Sequence, residues 1–285
     1  MLEFRLPDPD WIVGKHALLN IRAKLRNGRT EIDPHAWRIP YQWQGTHYQD
    51  HDDQPFLLLI NSGGGFVEGD AAELNGLLEP QTRTLVTTTA ASKFYKCLSG
   101  GHCSETVNFS IGAGGLLEYV PDEAIPFARS RVRRRTTIEL EGRSRLFATD
   151  MISAGRIHYG AGEEFMFSEL QSEFNVVVDG STLVSDRLLL TSVEEVQDLR
   201  ELWAGARHMA TVFAYFDNWP RDMEATIERL NGVNGVNLGA SRIGNLIVVR
   251  ILSGEVWQAQ EAVFSIWEVM RPLIAGKPAR RISKC

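Results

Sequence analysis

Only three cysteines occur among 285 residues, and one of them is the terminal Cys285. That set builds no disulfide framework and fits a reducing compartment. No apolar run approaches the ~18 residues of a membrane span. The N-terminal stretch MLEFRLPDPDWIVGKH carries acids where a secretory signal needs a basic flank. A cytoplasmic location is therefore expected. Positive charge is also short: 30 Lys and Arg against 36 Asp and Glu leave a net charge of −6. That balance argues against a nucleic-acid binder.

Several catalytic signatures are missing as well. There is no G-x-x-x-x-G-K-[ST] phosphate loop and no H-E-x-x-H metal helix. No G-x-S-x-G supplies a nucleophile elbow. The run Gly112–Leu117 (GAGGLL) lacks the last glycine of a dinucleotide fingerprint and is not followed by a helical pattern.

What is present is a long series of short strand-like runs. Residues 16–25 and 29–39 flank Asn27-Gly28, a strong turn signal, and residues 40–55 are polar and irregular. Strand patterns follow at 56–60, 73–78, 83–89, 106–111, 116–120, 145–149, 163–170, 174–178 and 183–190. The last third changes character. Residues 209–216 read as a strand, 221–230 as a helix entered through Pro220, and 236–241 with 245–252 as a hairpin around Gly244. From Glu255 to Ile274, the residues Val256, Ala259, Val263, Ile266, Trp267, Met270 and Ile274 form one helical stripe. Phe264 falls outside it, as if offered to a partner. The expected fold is mainly β, with two helices and a small α/β subregion near the C-terminus.

The chain is organised around Asn61–Asp70 (NSGGGFVEGD), three glycines directly after an apolar strand. Glycine permits positive φ and a close approach of backbone or ligand, so some geometry here requires it. Gly64→Val is accordingly expected to impair folding or partner docking. Two groups have metal-ligand chemistry. Cys97, His102 and Cys103 lie within seven residues, a spacing unlike a zinc ribbon and equally explained by a turn at Gly100-Gly101. His47, Asp50, His51, Asp52 and Asp53 sit in a polar loop with nothing to hold them still. No fixed metal site is expected. Arg129, Arg131, Arg133 and Arg135 alternate, which places them on one face of a strand. Acids nearby and the absence of interleaved aromatics favour a polar face paired with carboxylates over a nucleic-acid surface.

Four segments, taken in order, resemble the urease accessory protein D family, also called UreH. They are Asn61-Ser62-Gly63-Gly64-Gly65 with Gly69-Asp70; Thr87–Tyr95; Leu117–Phe127; and Asp150, Gly155, Arg156 with Gly162, Glu163 and Phe165. Ser62 stands where the family usually has proline, Glu68 where glycine is common, and Thr89 where glutamine is common. The resemblance implies one domain over residues 1–285, a helical stack of short strands with two helices. Its β body covers about 13–200, and a strand–helix–hairpin–helix subregion covers about 209–275.

The implied function is that of a non-catalytic chaperone. It would bind the urease apoprotein with accessory proteins F and G, the latter a GTPase, and assist nickel insertion. It implies no membrane or nucleic-acid partner and no tightly bound cofactor, with nickel only in transit along an interior polar route. Asp70, Glu118, Glu123, Asp150 and Glu163 are the carboxylates in matched motifs that such a route would use. Each also has a plain reading as a turn cap or an arginine partner. The competing reading is a hydrolase-like enzyme that binds an anion at the glycine loop. It predicts a deep pocket at Gly63–Gly65 beside a titratable pair.

Overall fold

The computed structural model describes residues 15–49, 53–282 and 284. Asn27 and Gly28, both at positive φ (51° and 79°), turn β1 (His16–Arg26) back onto β2 (Arg29–Arg38) as an antiparallel hairpin. There follow β3 (Tyr41–Trp43), β4 (His47–Tyr48), β5 (Pro55–Asn61), β6 (Ala71–Leu78), β7 (Arg83–Thr88), β8 (Ser92–Phe94) and β9 (Cys103–Ile111). Next come β10 (Leu116–Val120), β11 (Ala124–Pro126), β12 (Arg131–Leu140), β13 (Arg145–Ser153), β14 (Glu169–Val178) and β15 (Ser181–Leu190). The C-terminal part holds α1 (Val193–Leu202), β16 (His208–Tyr215), α2 (Met223–Glu228), β17 (Asn237–Ile243), β18 (Leu246–Ser253) and α3 (Val256–Ile274).

These strands make two sheets. Sheet A has the order β15-β14-β12-β9-β6-β1-β2, and sheet B runs β17-β18-β16-β13-β10-β7-β5-β3. Between β5 and β14 the chain alternates: β5, β7, β10 and β13 join sheet B while β6, β9, β12 and β14 join sheet A. Neighbours in each sheet over this stretch are parallel. The backbone therefore coils, adding a strand to each sheet per turn, which is the helical stack of a mainly-β fold. Antiparallel hairpins, β1–β2 and β14–β15, terminate both ends of sheet A. The C-terminal strands β16, β18 and β17 extend sheet B rather than standing apart.

Burial follows from this layering. Sheet A covers the core with one face only, so β9 alternates strictly between buried and half-buried residues. Leu19, Leu74, Val107 and Ile138 from sheet A meet Leu57, Val86, Leu117 and Leu146 from sheet B. Sheet B is covered on both faces. Phe147, Val212, Val249 and Ile251 on its far side pack against Ala259, Val263, Ile266 and Met270 of α3. Double coverage explains the near-continuous apolar runs of β5 and β18.

Four details differ from the sequence reading. Three α-helices are present among the described residues, not two. The additional α1 starts at Ser192, whose side chain accepts from Glu195 N while the Glu195 carboxylate accepts from Thr191 N. Its buried residues are only Val196 and Leu199, too short a stripe to stand out. The polar stretch 40–55 contains the short strands β3 and β4, which pair with β5. Residues 163–168 form a loop, and one long strand, β14, replaces the two runs expected at 163–170 and 174–178.

Candidate functional site

The glycine stretch carries the chain from sheet B to sheet A between β5 and β6. Gly64 and Gly65 both have positive φ, 73° and 150°. Gly65 bears the steric demand, because a Cβ there would lie 2.5 Å from Tyr95 Cε2 and 2.6 Å from Lys93 O. At Gly64 a Cβ would meet nothing within 4 Å, so only its backbone conformation asks for glycine. Gly63 N donates to Asn61 Oδ1 at 3.0 Å, and Gly69 N to His102 O at 3.0 Å. Asp70 is buried and closes the corner, accepting from Lys15 N (2.6 Å) and Val67 N (3.0 Å). Ser62 donates both N and Oγ to Pro40 O.

Glu68 also has a local job. Its carboxylate accepts from the backbone N of Leu98 (2.7 Å), Ser99 (2.9 Å) and Gly101 (2.5 Å). Those amides, Ser99 first, hold the Glu68 carboxyl below its usual value. Beside the corner is a cavity of about 70 Å³, lined by Asn61, Gly64, Gly65, Thr88, Ser92 and Lys93 among others. Its lining holds Tyr41 and Lys93 but no carboxylate, imidazole or thiol, and at this size it is not the deep pocket expected of a hydrolase. Ser153 Oγ and His208 Nδ1 approach to 2.9 Å, but both residues are sealed from solvent and no substrate reaches them.

A polar cluster lies between the two sheets. Arg134 is the arginine of β12 that points inward, out of phase with Arg131, Arg133 and Arg135. Its Nε donates to Glu105 Oε2 (3.1 Å) and its Nη1 to Asp150 Oδ1 (2.9 Å). Glu105 also accepts from Tyr41 Oη (3.1 Å) and Ser92 Oγ (3.3 Å). Burial, then the charge of Glu105, pushes the phenols of Tyr41 and Tyr119 well above their ordinary range. The adjoining Arg134 stays charged because Asp150 and Glu105 outweigh its burial. The formal sum over Glu105, Asp150 and Arg134 is one negative charge, held between two apolar sheet faces.

Of the five sequence-selected carboxylates, only Asp150 belongs to this cluster, and the structure does not gather the five into one site. Glu118 sits on the opposite face of sheet B, where it accepts from Trp267 Nε1 (2.6 Å), Arg271 Nε (3.0 Å) and Gln54 Nε2 (2.5 Å). Glu123 accepts from Gln260 Nε2 at 3.4 Å, and burial pushes its carboxyl up. Glu163 pairs with Arg156 (2.8 Å from Nε) and accepts from Ala128 N, which hold its carboxyl low. Gly155 is required there, since a Cβ would lie 2.0 Å from Glu163 O. Sequence reasoning missed Glu105 and Arg134. The signal for Arg134 was its parity: a charge on the same side of the strand as Val132, Thr136 and Ile138.

The cysteine group does not assemble with its histidine. Cys97 and Cys103 Sγ lie 3.9 Å apart, both buried, and Cys103 Sγ also faces Val67 O at 3.3 Å. Burial pushes the Cys103 thiol far up, away from the thiolate that metal binding needs. His102 lies instead near Arg131, Arg133 and Glu169. Among the described residues no group of three or more His, Cys, Asp or Glu side chains is placed to hold a metal ion. Asp53 pairs with Lys277 at 2.8 Å, and His47 Nε2 lies 3.0 Å from Gln44 O. Asp50, His51 and Asp52 lie outside the described residues. The alternating arginines pair with carboxylates as expected, Arg131 and Arg133 with Glu169 and Arg135 with Glu173. Arg129 precedes the strand at φ 63° and is not part of that row. No helix among the described residues is long and apolar enough to cross a membrane.

The chain is similar to the urease accessory protein UreD of Klebsiella aerogenes, with 30% identity over 270 residues, covering 93% of this chain and 94% of the relative. It is 29% identical to the UreD of Blochmanniella pennsylvanica over 266 residues, covering 92% and 91% of the two chains. The UreD of Dechloromonas aromatica is 25% identical over 274 residues, covering 95% and 93%. These relatives carry the names of accessory proteins rather than of enzymes. The profile described as UreD urease accessory protein matches residues 15–284, and with that match the chain belongs to the UreD family of urease accessory proteins.

Proposed function

We propose that this chain is a non-catalytic chaperone of urease maturation that binds the urease apoprotein together with accessory proteins F and G. In this reading it helps pass nickel, as cargo, towards the urease active site. Membership of a urease accessory family supports the general role, and the names of its relatives support a helper rather than a catalyst.

The observation that carries the finer part is the Glu105–Arg134–Asp150 cluster between the sheets. Carboxylate and hydroxyl oxygens are harder donors than the imidazoles nickel prefers, so they would hold the ion only weakly. The arginine between the two carboxylates cancels one of their charges. A cation is thus attracted by a single net charge and leaves again easily, as transit demands. Asp150 is retained from the sequence-selected residues as a route residue, and Glu105 joins it. Asp70, Glu118 and Glu163 serve instead as anchors of a corner, a helix and a loop.

Asp150→Asn and Glu105→Gln preserve shape and remove charge. Each is expected to lower urease activation in cells while the complex with proteins F and G still copurifies. Full activation by the soluble double variant would end the route assignment. Failure of the wild-type chain to copurify with F and G would end the chaperone reading itself.

A further inference from the structure

The outward face of sheet A carries a charge arrangement that neither the corner nor the interior cluster uses. Along β12, Arg131, Arg133 and Arg135 point outward, and Arg187 of β15 joins them from across β14. Two carboxylates answer four guanidinium groups. Glu169 takes Arg131 together with Arg133 Nε (3.2 Å), and Glu173 takes Arg135 Nε (3.2 Å) and Arg187 Nη2 (3.0 Å). The acids are the more buried members of these pairs. Glu169 is 3% exposed, whereas Arg133, Arg135 and Arg187 are 47%, 64% and 57% exposed.

A groove of about 230 Å³ crosses this face between β9 (Ser104–Thr106) and Leu189 on β15, and Glu105 and Arg134 of the interior cluster reach its lining from below. The next acid along the row is Glu73, beyond Thr106, and it faces His16 at 3.4 Å. Four guanidinium groups against two carboxylates leave this face with a formal charge of +2. His102 is held below its ordinary value first by burial and then by Arg133 and Arg131, which together exceed the opposing pull of Glu169.

We propose that this groove is a docking surface for an acidic, extended segment of a partner protein, with carboxylates at alternate positions. Arg133 and Arg135 are two residues apart on a strand, about 6.6 Å at the rise of an extended chain. An Asp/Glu-x-Asp/Glu segment repeats its side chains with the same rise and meets both guanidinium groups. Charge-assisted bonds to exposed arginines give such a segment its register. A nucleic-acid strand is the poorer occupant, because the chain as a whole carries a charge of −6 and the groove lining offers no aromatic ring for base stacking. The inference holds whether or not nickel passes through the interior.

The test is fluorescence anisotropy on the full chain at low ionic strength. The probes are a labelled peptide of alternating Glu and Ser, its Gln–Ser counterpart, and a labelled oligothymidylate. The Glu–Ser peptide is expected to bind, to weaken steeply with added salt, and to lose about tenfold in affinity in R133Q/R135Q. Thermal melting reports whether that variant stays folded. If it does not, R187Q, altered at a mostly exposed side chain, takes its place and is expected to weaken binding by a smaller factor. The proposal is overturned by no peptide binding, by equal binding of the Gln–Ser peptide, or by unchanged binding in the folded variant. Tighter capture of the oligonucleotide than of the peptide overturns it as well.

Discussion

Arg271 on α3 and Glu118 on β10 meet at 3.0 Å between Nε and Oε1, with side chains only 8% and 0% exposed. The pair fixes the long helix to the outer side of sheet B, and Trp267 and Gln54 donate to the same carboxylate. Removing one member leaves the other charge buried without its counter-ion, at a cost of about 3–5 kcal/mol. Glu118→Leu is therefore expected to lower the urea midpoint sharply, and Glu118→Leu with Arg271→Leu to recover much of the loss. A single variant as stable as the parent would contradict this account of the junction.

His208 gives stability a dependence on pH. Burial pushes its imidazole down to about 4 from 6.5, opposed by Glu255 and reinforced by Arg207 and His158. Above pH 6.5 the ring is neutral folded and unfolded, and the full stability is present. As pH falls from 6.5 towards 4, the unfolded chain takes the proton first and stability drops, by up to about 3 kcal/mol. Denaturation curves at a series of pH values should show this slope, and His208→Gln should flatten it. Carboxylates held low, such as Glu163 and Glu224, act further down, below their ordinary 4.5. An identical slope in the variant would assign the effect elsewhere.

The two neighbouring glycines of the corner should respond differently. Gly64→Ala meets open space and suffers only a left-handed backbone, about 1 kcal/mol. Gly65→Ala drives a methyl into Tyr95 and the Lys93 carbonyl, and a loss of about 3 kcal/mol or insoluble protein is expected. Paired melting curves decide the matter, and equal losses would mean that the corner relaxes around the added carbon.

Glu68 should govern the loop that follows β8. Glu68→Ala removes the common acceptor of Leu98, Ser99 and Gly101 N. Amide hydrogen exchange at these three positions is expected to accelerate, while the amides of β9 keep their protection. Unchanged exchange would show that the loop holds its shape without the carboxylate.

Legibility from sequence followed the range of the interactions. The hairpin at Asn27-Gly28 and the stripe of α3 were readable because their causes lie within a few residues. The family motifs marked the corners that need glycine. The interior cluster was not readable, because Arg134 finds Asp150 and Glu105 only after the chain has crossed between sheets. Glu118 shows the same limit. Its motif placed it correctly on a strand, but its partner Arg271 lies 153 residues away. The acidic residues of matched motifs look like one set in the sequence, yet the alternation of strands distributes them over both faces of sheet B and three loops.

The reversed hairpins that close sheet A have a further consequence. A stack of parallel strands is an open template, and its exposed rim would accept a second molecule in the same register, copy after copy. Here the rim strands β2 and β15 run against the parallel set, and β2 carries Pro34 within it. A proline lacks the N–H that continued pairing requires. The parallel winding of sheet A thus ends in an antiparallel strand at each rim, and at the β2 rim Pro34 takes one N–H out of the row that a further strand would pair with.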